Sequence, residues 1–580
     1  MLLRKPVMKN NKIKILLRSF LLTFFFSHPL FGIAQNNSGK PNILWIVCED
    51  ISPFLSCYGN TIIKTPNIDK LAKEGIRYTH VYTTAGVCAP SRSSIITGMY
   101  QTSIGTQHMR TLNGAAGAKY SPVPDYAAVI PDYVKCFPEY LCMNGYYCTN
   151  NEKQDYQFVP PVTVWDENGP AASWRNRPSG NPFFSIFNLF ITHESQLFMR
   201  NNESLLVDTE KVDVPPFYPD TKIVRHDISR LFSNIERMDA QVGEIIKMLK
   251  DDGLYNNTII FFYSDHGGAL PWMKREVLER GIHIPLIIRF PDAKDAGTVN
   301  DDLISSVDFA PTILSLAGIK IPAYIHGQAF LGSQKSKTQR KYIFAARDRM
   351  DTEYDRVRAV HDKRYEYLYN YEPEKPYYQN IEFRLSVPMM KEFLQFRDEG
   401  KLDSIQMLLF KTKPVEELYD IENDPNELHN LASDLKYKDK LTELRNAFNE
   451  WTKKVGDMGS TPEKEMIANW WNGKNEPPAT DTPRITKTSN GVKISCDTKG
   501  ASIGYRIVKH GAEKNEMHTI MSWDFGILVN PKLKNGQEVS AAPAWQVYDG
   551  KTIQLNAGDT LKVNALRIGY KSASIDYVYK

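Results

Sequence analysis

The chain has 580 residues, with 71 lysines and arginines against 67 aspartates and glutamates and a formal net charge of +4. That length exceeds one ordinary hydrophobic core, so two or three domains are expected. Charge this evenly balanced, with no basic block after residue 18, leaves no electrostatic footprint for nucleic acid.

Met1 to Arg18 is basic, Ser19 to Ile33 is apolar and aromatic, and Gly32-Ile33-Ala34 supplies small residues at cleavage spacing. Residues 1–34 therefore read as a signal peptide. Ser27, His28 and Pro29 interrupt the apolar stretch, which is too short for a comfortable membrane span. No other segment could span a bilayer, and no Cys follows that would take a lipid anchor. The expected product is exported, periplasmic or secreted, with no membrane attachment after signal cleavage.

Pro41-Asn42-Ile43-Leu44-Trp45-Ile46-Val47 predicts a buried strand that delivers Glu49 and Asp50 at its carboxyl end. Cys88-Ala89-Pro90-Ser91-Arg92 opens an apolar turn with one thiol at its mouth. A helix N-terminus and a guanidinium would both favour a thiolate there, although a Cys taken at random is more often a small buried hydrophobe. Ile228, Leu231, Ile235, Met238, Val242, Ile245, Ile246 and Leu249 fall at helical spacing, and Thr258 to Tyr263 predicts a second buried strand, ending in Ser264-Asp265-His266-Gly267. A helix feeding a buried strand is a β/α element. With the opening strand and Ile68 to Ala72, it argues an α/β fold whose largely parallel sheet is flanked by helices. Acids paired at parallel strand ends suit a divalent ion, and oxygen donors favour Ca2+ or Mg2+ over zinc.

Lys341 to Phe344 and Tyr365 to Tyr369 alternate as strands of an antiparallel subdomain. Residues 475–483 are a linker by composition, and beyond them Val492 to Ser495 and Ser502 to Arg506 recur between Gly and Asn turns as in a small β-sandwich. The expected organisation is a signal peptide at 1–34, a catalytic α/β domain at 35–340, an antiparallel α+β subdomain at 341–474, the linker at 475–483 and the sandwich at 484–580. Besides Cys88, six cysteines remain (Cys48, Cys57, Cys136, Cys142, Cys148, Cys496). Buried free thiols and bridges are equally open for them, and no pairing is assigned.

Cys-x-Pro-Ser-Arg at 88–92, followed by Ser-x-x-Thr-Gly at 94–98, resembles the signature of the type I sulfatases, in which this Cys is oxidised to formylglycine by a formylglycine-generating enzyme. Lys274 ahead of Gly281-Ile282-His283-Ile284-Pro285, Ser306 to Leu314, and Glu417-Leu418-Tyr419-Asp420 are similar to segments of the same family. The resemblance implies an alkaline-phosphatase-like catalytic fold and one Ca2+ ion held by Glu49, Asp50, Asp265 and His266 with position 88. It also implies that Arg92, Lys153 and Lys274 surround the sulfate, and that His193 protonates the leaving group. A hydroxyl of the hydrated aldehyde, deprotonated by Asp265, would attack sulfur, and a base would then take the proton of the second hydroxyl to expel sulfate. The family places a histidine two residues after the lysine for that last task. This chain has Asp155 there, and Asp155 or His108 is expected to serve.

Glu49-Asp50 stands where Asp-Asp is common, and Asp265-His266 where Asp-Asn is common. The chain looks closest to the branch holding N-sulfoglucosamine sulfohydrolase and bacterial polysaccharide sulfatases, a likeness suggested by Glu49-Asp50 and Ala346-Arg347-Asp348-Arg349-Met350. The implied substrate is a sulfated oligosaccharide or polysaccharide, O- or N-sulfated, with selectivity set by loops near 105–120, 160–215 and 345–400. Two alternatives stand beside it. One is a phosphodiesterase or phosphonate hydrolase of the same superfamily. The other is a non-catalytic glycan-binding relative, against which the intact Cys88 to Arg92 motif, Lys153, His193 and Lys274 speak.

Overall fold

A computed structural model describes residues 39–112, 121–510 and 544–580. The expected signal peptide at 1–34 lies outside the described residues.

An eight-stranded sheet forms the centre, made of β1 (Asn42–Cys48), β2 (Ile76–Tyr82), β3 (Tyr147–Asn151), β4 (Glu167–Asn168), β5 (Phe183–Leu189), β6 (Thr258–Ser264), β7 (Leu286–Arg289) and β8 (Thr298–Ser305) in the order β4-β3-β5-β1-β6-β7-β2-β8. Every neighbouring pair is parallel except those made by β7, which opposes both β6 and β2. All seven residues of β1 are buried. Because side chains alternate across a strand, its residues sort into two cores. Leu44, Ile46 and Cys48 join the helix Lys222–Asp251 on one face. Ile43, Trp45 and Val47 join the helices Phe137–Met143 and Phe309–Leu316 on the other.

The helix predicted from Ile228 begins earlier, at Lys222, because the Thr221 hydroxyl accepts the Val224 N–H and caps the first turn. Its polar opening turns hide the start from a hydrophobic count, yet Asp227 there is buried and accepts the Met389 N–H at 2.7 Å.

A four-stranded antiparallel sheet follows, β9 (Ile343–Met350), β10 (Glu353–His361), β11 (Tyr365–Asn370) and β12 (Glu416–Asp420), in the order β12-β11-β10-β9. The helix Lys438–Val455 packs on it through Leu444, Phe448 and Trp451, with the Trp451 and Phe344 rings stacked at 4.9 Å.

The C-terminal region forms a hairpin, β13 (Arg484–Thr488) with β14 (Gly491–Ser495), and a sheet of β15 (Ser502–Val508), β16 (Gln546–Val547), β17 (Thr560–Leu566) and β18 (Ala573–Val578). Val492, Ile494, Ile553, Leu561 and Val563 share one small core beneath them. This unit docks closely on the catalytic domain. Lys135 Nζ donates to Gly500 O at 3.0 Å and Ser502 Oγ at 2.8 Å, the Arg567 guanidinium donates to Ile130 O, and Ile568 enters the core of Phe137 and Leu141. Residues 478–480, expected within a linker, hydrogen-bond to Lys571 through their backbone.

At the junction Gly569 has φ 88°, and a Cβ built on it would stand 2.6 Å from Val129 Cα. Gly569→Ala is expected to lower stability by about 1–3 kcal/mol through left-handed strain and this clash. Thermal denaturation checks it, and an unchanged melting temperature would mean that the junction yields without cost.

Candidate active site

β1 and β6 are paired in register from Asn42 with Thr258 to Cys48 with Ser264, so the residues after each strand emerge side by side. The exit is tied by the Asp265 N–H on Cys48 O at 3.1 Å and by the Asp50 N–H on Asp265 Oδ1 at 3.2 Å. Glu49, Asp50, Asp265 and His266 are all completely buried there. Asp50 turns through φ 55°, and its Oδ2 accepts the Glu194 N–H at 2.7 Å.

Cys88 is the first residue of the helix Cys88–Thr97, every residue of which is buried. Arg92 lies one turn on and so shares its face. Arg92 Nε donates to Asp265 Oδ2 at 3.0 Å, Nη2 to Glu49 Oε1 at 3.2 Å and Nη1 to Asn188 Oδ1 at 2.8 Å. Ser91 Oγ donates to Asp265 O at 2.6 Å, which fixes the helix start against β6. Cys88 Sγ then stands 3.3 Å from His266 Nε2 and 3.9 Å from Asp50 Oδ1. Lys153, just past β3, places Nζ 2.7 Å from Glu49 Oε2 and 3.9 Å from Asp155 Oδ2. Lys274 Nζ contacts Asp50 Oδ2.

Three buried acids so close together repel each other, and burial itself opposes their charge. Burial pushes the Glu49 carboxyl up, with Lys153 and Arg92 pulling it back. Burial opposes ionisation of Asp50 as well, but Lys274, His193 and His266 overcome it and hold that carboxyl well below its ordinary range. Asp265 is held low against burial by His266 and Arg92. Burial disfavours the cations Arg92, Lys153 and Lys274, yet the acids and the Cys88 sulfur keep each above its ordinary value. Burial and Lys274 hold His193 well below its usual value, so its ring is neutral. Its Nδ1 accepts the Ser195 N–H at 3.2 Å, which leaves the proton on Nε2.

The donor set fits a divalent cation. Ligand atoms of Asp50, Cys88, Asp265 and His266 lie within 4.8 Å of one another, and those of Glu49, Asp50, Cys88 and His193 form an overlapping group. His266 Nδ1 lies 3.0 Å from Gly267 O, which places a ring hydrogen on Nδ1, and Nε2 stands 2.9 Å from Asp50 Oδ1, where a bound cation would take the place of the Nε2 proton. Although burial lowers its basicity, Asp265, Asp50 and Cys88 push the His266 pKa to about 10, because the spot facing Nε2 favours positive charge.

A cavity of about 1050 Å³ opens over Cys88. Its walls include Lys153, Asp155, His193 and Lys274, together with Arg110, Leu112, Gln196, Met199, Asp351 and Phe383. Arg110, Asp155, Gln157, Arg275 and Asp351 in these walls all have φ between 51° and 77°, as has Asp50 beneath them. Left-handed backbone in non-glycine residues is thus gathered at the site.

His108 stands apart from the groups around Cys88. Its ring is buried, with Nδ1 3.3 Å from the Arg349 N–H and the Tyr354 ring against it, beside the Arg349–Glu463 pair. Arg347, Asp348 and Arg349, which the sequence associated with a substrate branch, pair internally with Glu276, Arg358 and Glu463 and do not line the cavity. A further pair escaped sequence reasoning. Arg275 holds Glu194 through two hydrogen bonds of 2.8 and 2.7 Å, both side chains being buried, and so braces the residues next to Lys274 and His193. Their only signal was adjacency to those two residues.

Two family descriptions match the chain, "Sulfatase" over residues 41–319 and "N-sulphoglucosamine sulphohydrolase, C-terminal" over 268–382. An ulvan-active sulfatase of Formosa agariphila is 44% identical over 568 residues, covering 92% of this chain and 90% of that protein. The N-sulphoglucosamine sulphohydrolase of Homo sapiens is 25% identical over 71% of this chain and 89% of its own. A solved structure, of a protein in complex with its substrate D-glucosamine-2-N,6-O-disulfate, superposes with a TM-score of 0.52 at 18% identity, covering 73% of this chain and all of the other. The central sheet and its flanking helices are therefore those of the sulfatase and alkaline-phosphatase-like fold.

The placement of His108 has a measurable consequence. Burial lowers its pKa to about 4. Below the ordinary value of about 6.5 the unfolded chain takes up a proton that the folded chain refuses until about pH 4, so stability falls across that window. Between pH 7 and 4.5 this costs about 2–3 kcal/mol. His108→Gln is expected to flatten the loss by that amount in denaturant titrations at the two pH values, and parallel losses in both proteins would refute the assignment.

Proposed function

The chain belongs to the sulfatase family and is a sulfuric ester hydrolase, and from that premise we propose that it removes sulfate from a sulfated algal-type polysaccharide outside the cytoplasm. We infer that it does so with a divalent ion, Ca2+ in this reading, and with formylglycine formed at Cys88 by a formylglycine-generating enzyme. The observation that carries the reading is the meeting of Cys88 with Asp50 and His266 at one end of the cavity, ringed by Arg92, Lys153 and Lys274.

Glu49, Asp50, Asp265 and His266, with position 88, would hold the ion. Bound there, the ion supplies positive charge toward sulfate oxygens and formylglycine supplies a hydrated aldehyde as nucleophile. The chain's own residues do the rest. Lys153 and Lys274 line the cavity and remain protonated, so they meet the three charged sulfate oxygens with fixed positive charge in a site whose floor is closed to water. Arg92, locked between Asp265 and Glu49, orients both carboxylates. His193 presents Nε2–H from the cavity wall, stacked on Phe190 at 4.6 Å, as a hydrogen-bond donor that stabilises charge on the leaving oxygen. Asp155, also in the wall and beside Lys153, is the base for release of sulfate in preference to His108, whose buried ring serves the Arg349 backbone.

The substrate class draws support from the name of the 44% identical relative, an ulvan-active sulfatase matched along most of both chains. Export draws support from the basic and apolar opening of residues 1–34. Matured protein should release inorganic sulfate from ulvan oligosaccharides at a rate well above that on aryl phosphodiesters, read by ion chromatography. Equal rates on both would turn the reading toward phosphoryl transfer. Lys274→Ala should lower kcat about 10²–10³-fold, chelation should abolish turnover and Ca2+ restore it, and Cys88→Ala should be folded and inactive. Turnover by Cys88→Ala, or by metal-free protein, would overturn the chemistry.

A further inference from the structure

Among the described residues one other cluster of thiol and carboxylate ligands lies outside the active site. The Cys142, Cys148 and Asp166 ligand atoms all fall within 4.8 Å of one another. Cys142 is near the end of the helix Phe137–Met143 and is partly exposed, whereas Cys148 is buried in β3. The turn between them is held by its backbone, with Gly145 N–H on Cys142 O at 3.0 Å and Tyr146 N–H on Leu141 O at 3.1 Å. Asp166 is fixed too, since its Oδ2 accepts the Cys148 N–H at 2.7 Å and its own N–H donates to Cys148 O at 2.8 Å. The Cys142 thiol donates to Asp166 Oδ2 at 3.7 Å, and its sulfur lies within 4.8 Å of the Cys148 sulfur. A structural zinc ion would ask for four protein ligands, and this cluster offers three, one of them already engaged by a backbone N–H. Two thiols held together by folded backbone, with a carboxylate to take a proton, are suited to a different chemistry.

We propose that Cys142 and Cys148 are a dithiol that closes to a disulfide when the folded protein meets an oxidising disulfide such as glutathione disulfide. The Cys142 thiol, the more accessible, gives its proton to Asp166. Its sulfur attacks one sulfur of the oxidant, breaking the oxidant's S–S bond and releasing one thiolate, which takes up a proton. The Cys148 sulfur then attacks the Cys142 sulfur in the mixed disulfide, loses its own proton and expels the second oxidant thiolate. Two protein thiols lose two electrons and two protons, and the oxidant gains both as two thiols. The inference leans on the exported location only for where such an oxidant is met. β4 is two residues long, so β3 is almost the sheet's edge, and β3 contains Asn150 and leads directly to Lys153. The cross-link would staple that strand to its covering helix.

Trypsin releases residues 136–153 as one peptide, because no Lys or Arg lies between Lys135 and Lys153, and it carries Cys136, Cys142 and Cys148. Full-length protein is equilibrated with glutathione disulfide, denatured without reductant, alkylated with iodoacetamide and digested. The expected peptide is lighter by two hydrogens and carries one alkyl group, on Cys136, while prior reduction with dithiothreitol yields three. Three alkylated thiols after oxidation, a persistent glutathione adduct, or two thiols protected only until a chelator is added would each overturn the proposal. Because the assay acts on the purified protein, it decides the thiol chemistry whether or not the chain is exported. The oxidised protein should also melt about 2–4 °C above the reduced one, with sulfatase activity unchanged in Cys142→Ser. A melting difference that persists in Cys142→Ser would assign it to other cysteines.

Discussion

Everything around the active site follows from burying Glu49, Asp50 and Asp265 together. An uncompensated buried carboxylate costs several kcal/mol, so each must be matched where it stands. The matches come from distant parts of the chain: Arg92 from the helix after Cys88, Lys153 from the end of β3, and Lys274 from the loop past β6. The strand order makes this possible. β3, β5, β1 and β6 are consecutive and parallel, and their carboxyl ends deliver Lys153, Asn188 and His193, Glu49 and Asp50, and Asp265 and His266 along one edge of the sheet.

A second set of buried pairs ties the antiparallel sheet to the segments packed on it and, through Arg347 and Glu276, to the catalytic domain. Arg347 bridges Glu276 and Asp355, Arg349 meets Glu463, and Arg358 lies between Asp348 and Asp457. Removing one partner of such a pair leaves a buried charge behind, at a cost of about 3–5 kcal/mol. Glu276 follows Arg275 in sequence, so the same short segment that braces Glu194 also anchors β9.

Sequence alone reveals the parts of this molecule whose signal is local. The apolar run of β1 with Glu49-Asp50 after it, the run of β6 with Asp265-His266, and the Cys88 to Arg92 motif each declare themselves within about ten residues, and the structure brings these groups together around Cys88. The Glu194–Arg275 pair was hidden because its partners are 81 positions apart and neither has a pattern of its own. His108 was a candidate base on residue type alone, and only the packing of Arg349, Tyr354 and Glu463 around it shows what occupies its ring. The C-terminal unit was legible as strands and turns, but its docking rests on single contacts of Lys135, Arg567 and Gly569 that no periodicity records.

The left-handed backbone at Asp50, Arg110, Asp155, Gln157, Arg275 and Asp351 bears on how this cavity can diversify. Residues other than Gly, Asn and Asp meet a penalty of about 1–2 kcal/mol in that conformation, and β-branched ones more. Leu112, Gln196, Met199 and Phe383 line the same cavity without that constraint. Drift between related substrates should therefore accumulate at these four positions, and a saturation library restricted to them would sample new specificities while sparing the strained frame.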